Sequence, residues 1–120
     1  MIYTSYFGKL KTIPKDMVPI SICGKAPDWY TGLQYKKVAP KLKFFLQWKQ
    51  NHDNAFYVEQ YQEEVLDTLD ADKIVEEILR LSEGKDAVLI CYEKPDEFCH
   101  RHLLAEWLIL HGYDCKELEL

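Results

Sequence analysis

The chain reads as an α/β protein, a three-layer α/β/α sandwich around a small, mostly parallel sheet. The run Ala87-Val88-Leu89-Ile90-Cys91 is continuously apolar, the pattern of a strand covered on both faces, as in parallel sheets. Helical patterns lie on both sides of it and supply the crossovers that parallel pairing requires. With 120 residues the chain is long enough for one core without staples, so a single domain over 1–120 is expected.

Each element has its own signal. Residues 1–6 read as the first strand, broken by Gly8. Residues 16–23 read as the second, with Pro19 tolerated near its start or on an edge. A loop over 24–33 holds Gly24, Pro27, Gly32 and the exposed-looking pair Trp29 and Tyr30. Leu42, Phe45, Leu46 and Lys49 then recur at helical spacing, with Pro40 in the first turn. Helices are expected over 56–69 and 71–81, divided at Asp70, a good cap. Gly84 closes the second of these, where a left-handed residue is needed. After the apolar strand, Asp96 caps a helix running to His111, Gly112 stops it, and 113–118 form the last strand.

The composition excludes several classes. Asp and Glu number 20 against 15 Lys and Arg, a net charge of −5, which disfavours a broad basic surface for duplex nucleic acid. The local cluster Lys36, Lys37, Lys41 and Lys43 reads as a solvated helix face. No apolar run reaches membrane-spanning length, and the first residues lack a charged start followed by an apolar stretch. A cytoplasmic protein without membrane contact is expected. The four cysteines, Cys23, Cys91, Cys99 and Cys115, lack paired metal-ribbon spacing, so free thiols are the default. Cys115 and Cys23 read most simply as small core residues.

The chemistry concentrates between Cys91 and Arg101. A strand tip facing a helix N-terminus is where α/β proteins hold anions and reactive thiols. In such sheets ligands bind beyond the carboxyl ends of the strands, so the loops after Cys23 and after Cys91 should share one rim. Projection at 3.6 residues per turn puts Leu103, Leu104, Trp107, Leu108 and Leu110 on the buried arc of the last helix. His100 falls near the middle of that arc, Cys99 and Arg101 at its margins, and His102 toward solvent. With Asp96 as cap, Cys99 lies about three positions into the helix, where the dipole favours a thiolate. The bland alternatives are packing for Cys99, a carbonyl contact for His100 and a Glu93–Arg101 ion pair that merely fixes the loop.

The segments Cys91-Tyr92-Glu93-Lys94-Pro95 and Cys99-His100-Arg101-His102-Leu103-Leu104-Ala105-Glu106-Trp107-Leu108 resemble the signature of a bacterial, archaeal and phage family, domain of unknown function 488. That signature is a strand ending in Cys-x-Glu, a five-residue spacer holding a proline or aspartate, then Cys-His-Arg opening a helix. Tyr3-Thr4-Ser5-Tyr6-Phe7 is similar to the family's opening strand. Trp29-Tyr30-Thr31-Gly32-Leu33 and Tyr35-Lys36-Lys37 are similar to a small single-domain subgroup, so the resemblance spans essentially the whole chain. Many members carry Asp-Val-Arg near the amino end; the corresponding run here is Ile20-Ser21-Ile22-Cys23-Gly24-Lys25. Lys25 then substitutes for that arginine only as a point charge. The resemblance implies a fold and a site position, and no established activity.

Three functions compete. The first is a cysteine-dependent hydrolase or transferase acting on a small anionic substrate, phosphate- or sulfur-containing or nucleotide-like. Cys99 or Cys91 would attack, His100 act as base, Arg101 hold the anion and Glu93 orient the histidine or arginine. Neither the phosphatase nor the sulfurtransferase loop spacing is matched. The second is a Cys/His metal site using Cys91, Cys99 and His100 with Cys23 or Glu93. It ranks lower because adjacent side chains on one helix diverge by about 100°. A variant is a Cys91–Cys99 redox pair, feasible if their Cα atoms come within about 7 Å. The third is a module binding a nucleotide or single-stranded nucleic acid through Trp29, Tyr30 and Tyr35 beside Lys25, Lys36 and Lys37. Nucleic acid is not favoured, and no cofactor is identified.

Overall fold

A computed structural model describes residues 1–119. Five strands form one sheet in the order β3-β2-β4-β1-β5, with every pair parallel. The strands are β1 (Ile2–Tyr6), β2 (Val18–Ser21), β3 (Leu33–Gln34), β4 (Ala87–Cys91) and β5 (Cys115–Glu117). The helices are α1 (Leu42–Asn51), α2 (Asn54–Glu64), α3 (Ala71–Leu81) and α4 (His100–Leu110). The α/β reading is thus the fold, and the sheet is wholly rather than mostly parallel among the described residues. All five residues of β4 are buried, as its unbroken apolar run requires of a strand covered on both faces. Among the described residues no helix is long and apolar enough to cross a membrane.

Strand β2 is shorter than expected and is not an edge, although it contains Pro19. The amides of Val18 and Ile22 both donate toward β4, to the carbonyls of Asp86 and Ile90. By alternation the missing N–H of Pro19 lies on the opposite side, just before β3 begins beside Ile20. No ladder bond is therefore lost. Strand β3, two residues long, sits where the sequence reads as the end of a loop.

The helices also depart in informative ways. Pro40 precedes α1 instead of entering it, and the buried residue is Phe44, packed edge-on against Tyr57 at 5.3 Å; Leu42 and Leu46 are exposed. The expected helix over 56–69 is two pieces. Helix α2 starts at an Asp53 cap that accepts from the Phe56 amide, and it ends at Val65. A 3-10 turn, Leu66–Thr68, follows and inserts Leu66 into the core. Helix α3 starts on the Asp70 cap as expected. It ends through left-handed Glu83 and Gly84, the Gly84 amide closing on the Leu79 carbonyl at 2.9 Å.

The largest correction concerns α4. Asp96 does not cap it. The Glu97 amide closes a turn on the Lys94 carbonyl, and the Glu97 carboxylate accepts from the Lys94 amide, so residues 94–97 are spent on that turn. Cys99 itself is the cap residue, in extended conformation (φ −157°, ψ 145°). The buried stripe is His100, Arg101, Leu104, Trp107 and Leu108. Leu110, expected inside, is 83% exposed. His102, expected to face solvent, is half-buried, and its Nε2 has no partner.

Candidate functional site

The parallel sheet brings the carboxyl ends of β1, β2 and β4 to one rim, with Tyr6 level with Cys91 and Ser21 level with Ile90. A cleft of about 790 Å³ opens there, within the range of small-molecule sites. Cys23, Cys91, Cys99 and His100 line it on the sheet side. Phe45, Trp48, Tyr57 and Phe98 form an aromatic wall, and Lys25, Lys49, Tyr92 and Glu93 also border it. Trp48 and Tyr57 both contact Phe98, at 5.6 and 4.9 Å between centroids, so α1, α2 and the β4–α4 loop are joined by this wall.

His100 is held by a single backbone group. Its Nε2 lies 2.8 Å from the Ile22 carbonyl oxygen. A carbonyl only accepts, so Nε2 carries the proton and Nδ1 presents its lone pair. That lone pair faces Cys99 Sγ at 3.9 Å. Burial pushes the imidazole down to about 4, and it is neutral at neutral pH. Because Cys99 is extended rather than helical, its side chain and that of His100 converge. The divergence expected of neighbours on one helix does not apply.

Arg101 is fully buried and every donor nitrogen is engaged. Nε and Nη2 form a two-point clamp on the Glu117 carboxylate, each at 3.0 Å. Nη1 donates to Cys91 Sγ at 2.9 Å and to the Glu93 carbonyl at 2.6 Å. Glu117 also accepts from the Thr4 hydroxyl at 2.7 Å. Arg101 therefore contacts the Glu93 backbone, not its carboxylate, and four of its five N–H groups are spent on these protein partners. Its cation lies directly against the Cys91 sulfur.

Cys91 and Cys99 are joined as a disulfide, their Cα atoms 7.7 Å apart, so among the described residues the free thiols expected from the sequence are found only at Cys23 and Cys115. That Cα distance is wider than the roughly 4.4–6.8 Å usual for a disulfide. Glu93 lines the same cleft, its carboxyl pushed up by burial against the opposing pull of Arg101 and Lys49. Cys23 is not merely a core residue: it lines the cleft, with its thiol raised to about 12 by burial. Cys91 Sγ, Cys99 Sγ and His100 Nδ1 or Nε2 form the one group of possible metal donors among the described residues, all mutually within 4.8 Å.

The expected site residues thus separate. Cys91, Glu93, Cys99, His100 and Lys25 share the cleft. Trp29, Tyr30 and Tyr35 do not line it. Trp29 and Tyr30 pack edge-on against Phe7; Trp29 is exposed, whereas Tyr30 is buried and donates to the Leu33 carbonyl. Tyr35 bonds Glu77 on α3, as does Lys37. The sequence reading missed Glu117 and the aromatic wall. Period-two alternation places Glu117 on the same face as buried Cys115, a signal hidden by the strand's shortness. Trp48, Tyr57 and Phe98 come from three elements and share no sequence pattern.

No curated protein and no solved structure matches this chain. A family model described as the active DUF488-N3 subclade, DUF488-N3a, matches residues 8–112. The match contains the Cys91-x-Glu93 strand end, the turn and the Cys99-His100-Arg101 helix start whose geometry builds the cleft. The chain belongs to the DUF488 family, as a small single-domain member of that subclade.

Proposed function

We propose that this protein is a thiol-dependent hydrolase or transferase acting on a small anionic substrate, with Cys99 as nucleophile and His100 as its base. The observation that carries the reading is the bare Nδ1 of His100 beside Cys99 Sγ, set by the Nε2 bond to the Ile22 carbonyl. In the attack, the Cys99 proton passes to Nδ1 while sulfur bonds the electrophilic centre of the substrate. The leaving group departs with that proton, and water or a second acceptor then takes the group from sulfur. Cys91, held by Arg101, is the second sulfur at the reacting point, and reduction of the Cys91–Cys99 disulfide by an external thiol frees Cys99 for the attack. Glu93 borders the same space. Lys25 and Lys49 have no ion-pair partner among the described residues and border the cleft. They replace Arg101 as contacts for a phosphate- or sulfur-containing or nucleotide-like anion.

The test is iodoacetamide labelling of the reduced, chelator-treated protein at neutral pH, resolved by cysteine through peptide mass spectrometry. Cys99 should label faster than a free peptide thiol, and His100→Ala should slow it more than about tenfold, the lower range for loss of a general base. Equal labelling in the two proteins, with folding confirmed by circular dichroism, would remove the Cys99–His100 reading.

A further inference from the structure

We infer that Cys91 Sγ, Cys99 Sγ and His100 Nδ1 form a binding site for a soft divalent ion of the zinc type, and that its occupation silences both thiols. The three residues are buried, and their donor atoms lie within 4.8 Å of one another. Two thiolates and an imidazole are the donor set that selects zinc over magnesium or calcium.

Three features of the surroundings favour a metal here. His100 donates its other ring N–H to the Ile22 carbonyl at 2.8 Å, the outer bond that orients a ligating histidine and raises its basicity. Arg101 donates to Cys91 Sγ at 2.9 Å, which spreads the charge of a bound thiolate. The Cα separation of 7.7 Å is long for a disulfide but leaves room for two sulfurs on one ion. An external thiol first reduces the Cys91–Cys99 disulfide, supplying two electrons and two protons and leaving as its own disulfide; bonds of about 2.3 Å at a tetrahedral centre then set the freed sulfurs roughly 3.8 Å apart. Two thiolates neutralise the divalent charge, so the buried site carries no net charge. Because Cys91, Cys99 and His100 line the cleft, a fourth ligand would come from that space.

Binding itself does not depend on the thiol-enzyme reading; the silencing does. Once the disulfide is reduced, metal binding displaces the two thiol protons to solvent and involves no further change of oxidation state. The experiment titrates the reduced full-length protein with cobalt(II) chloride, then with zinc chloride against a chromophoric chelator, followed by metal analysis after desalting. One ion per chain is expected, with a thiolate-to-cobalt absorption band in the wild-type protein that weakens in Cys91→Ser and Cys99→Ser. His100→Ala should lose more affinity than the roughly 10–100-fold that an outer-shell change costs. Cys115→Ser should bind like wild type. Zinc should suppress iodoacetamide labelling of Cys91 and Cys99 together, and chelator should restore it. Absence of a thiolate–cobalt band in the wild-type protein, or equal affinity in His100→Ala and wild type, would overturn the site. Such a result beside rapid Cys99 labelling would leave the thiol reading standing. A tight ion whose presence raises turnover would keep the site and overturn the silencing together with the thiol reading.

Discussion

The two ends of α4 are built from one helix against one sheet, yet they do different work. At the amino end His100 and Arg101 are buried with polar bonds to Ile22, Glu93, Glu117 and Cys91. At the carboxyl end Trp107 and Leu108 are buried beside the start of the sheet, while Leu110 is open to solvent. The cysteines follow the same division. Cys115, at the start of β5, meets only burial and the charge of Glu117, which lift its thiol to about 11. Cys91, at the end of β4, meets a guanidinium, and Cys99 a bare imidazole nitrogen. The difference lies in what the neighbouring elements present, since all three sulfurs belong to buried residues.

Breaking the polar end should have the largest effect. Arg101→Leu leaves the Glu117 carboxylate without its partner and should cost about 3 kcal/mol, the low end for a broken buried pair because Glu117 reaches some water. Urea melts should show this loss, and Arg101→Leu combined with Glu117→Gln should recover part of it. If the double variant is less stable than the single one, the clamp is not what holds this end.

The packing end should separate stability from reactivity. Leu108→Ala should cost about 2–4 kcal/mol as a buried large-to-small change. The folded fraction should nevertheless keep wild-type labelling of Cys99. Slowed labelling there would mean that the two ends are mechanically coupled.

Cys115→Ala should change stability by only about 1 kcal/mol and leave the labelling of the other cysteines untouched. In the native wild-type protein Cys115 should stay unlabelled at pH 8. Its raised thiol favours the folded state below pH 9, and that contribution fades as pH rises from about 9 through about 11. Labelling of Cys115 at pH 8 as fast as that of Cys99 would erase the contrast between the ends. Smallest of all, Leu110→Ser should stay within about 0.5 kcal/mol, as expected of an exposed position; a larger loss in a thermal melt would show hidden packing on that face.

Much of this was legible before any geometry. Strand β4 announces itself because a run buried on both faces needs no polar alternation. Helix α3 does so because its cap, apolar stripe and stop agree. The Cys91-to-Arg101 segment announces its chemistry by local residue types and spacing. The start of α4 was misread because Asp96 is as good a turn residue as a cap. The turn won when the Glu97 side chain bonded back to Lys94. That three-residue shift moved Cys99 off the helix and Arg101 into the core. That Trp29 and Tyr35 lie outside this cleft was not legible, because an aromatic beside lysines looks the same whether it faces a cleft, solvent or another helix.

By itself the sequence determined the α/β class, the central parallel strand and the residue types gathered at its tip. These depend on short-range periodicity and on functional groups that are neighbours in the chain. Only the tertiary structure decided that Glu117 clamps Arg101, that Ile22 leaves His100 Nδ1 bare, and that α1, α2 and Phe98 wall the cleft. Those outcomes join groups 16 and 78 positions apart, or residues from separate helices. Which donor meets which acceptor at such separations is settled by packing, where nearly all buried polar atoms find a partner in the assembled core.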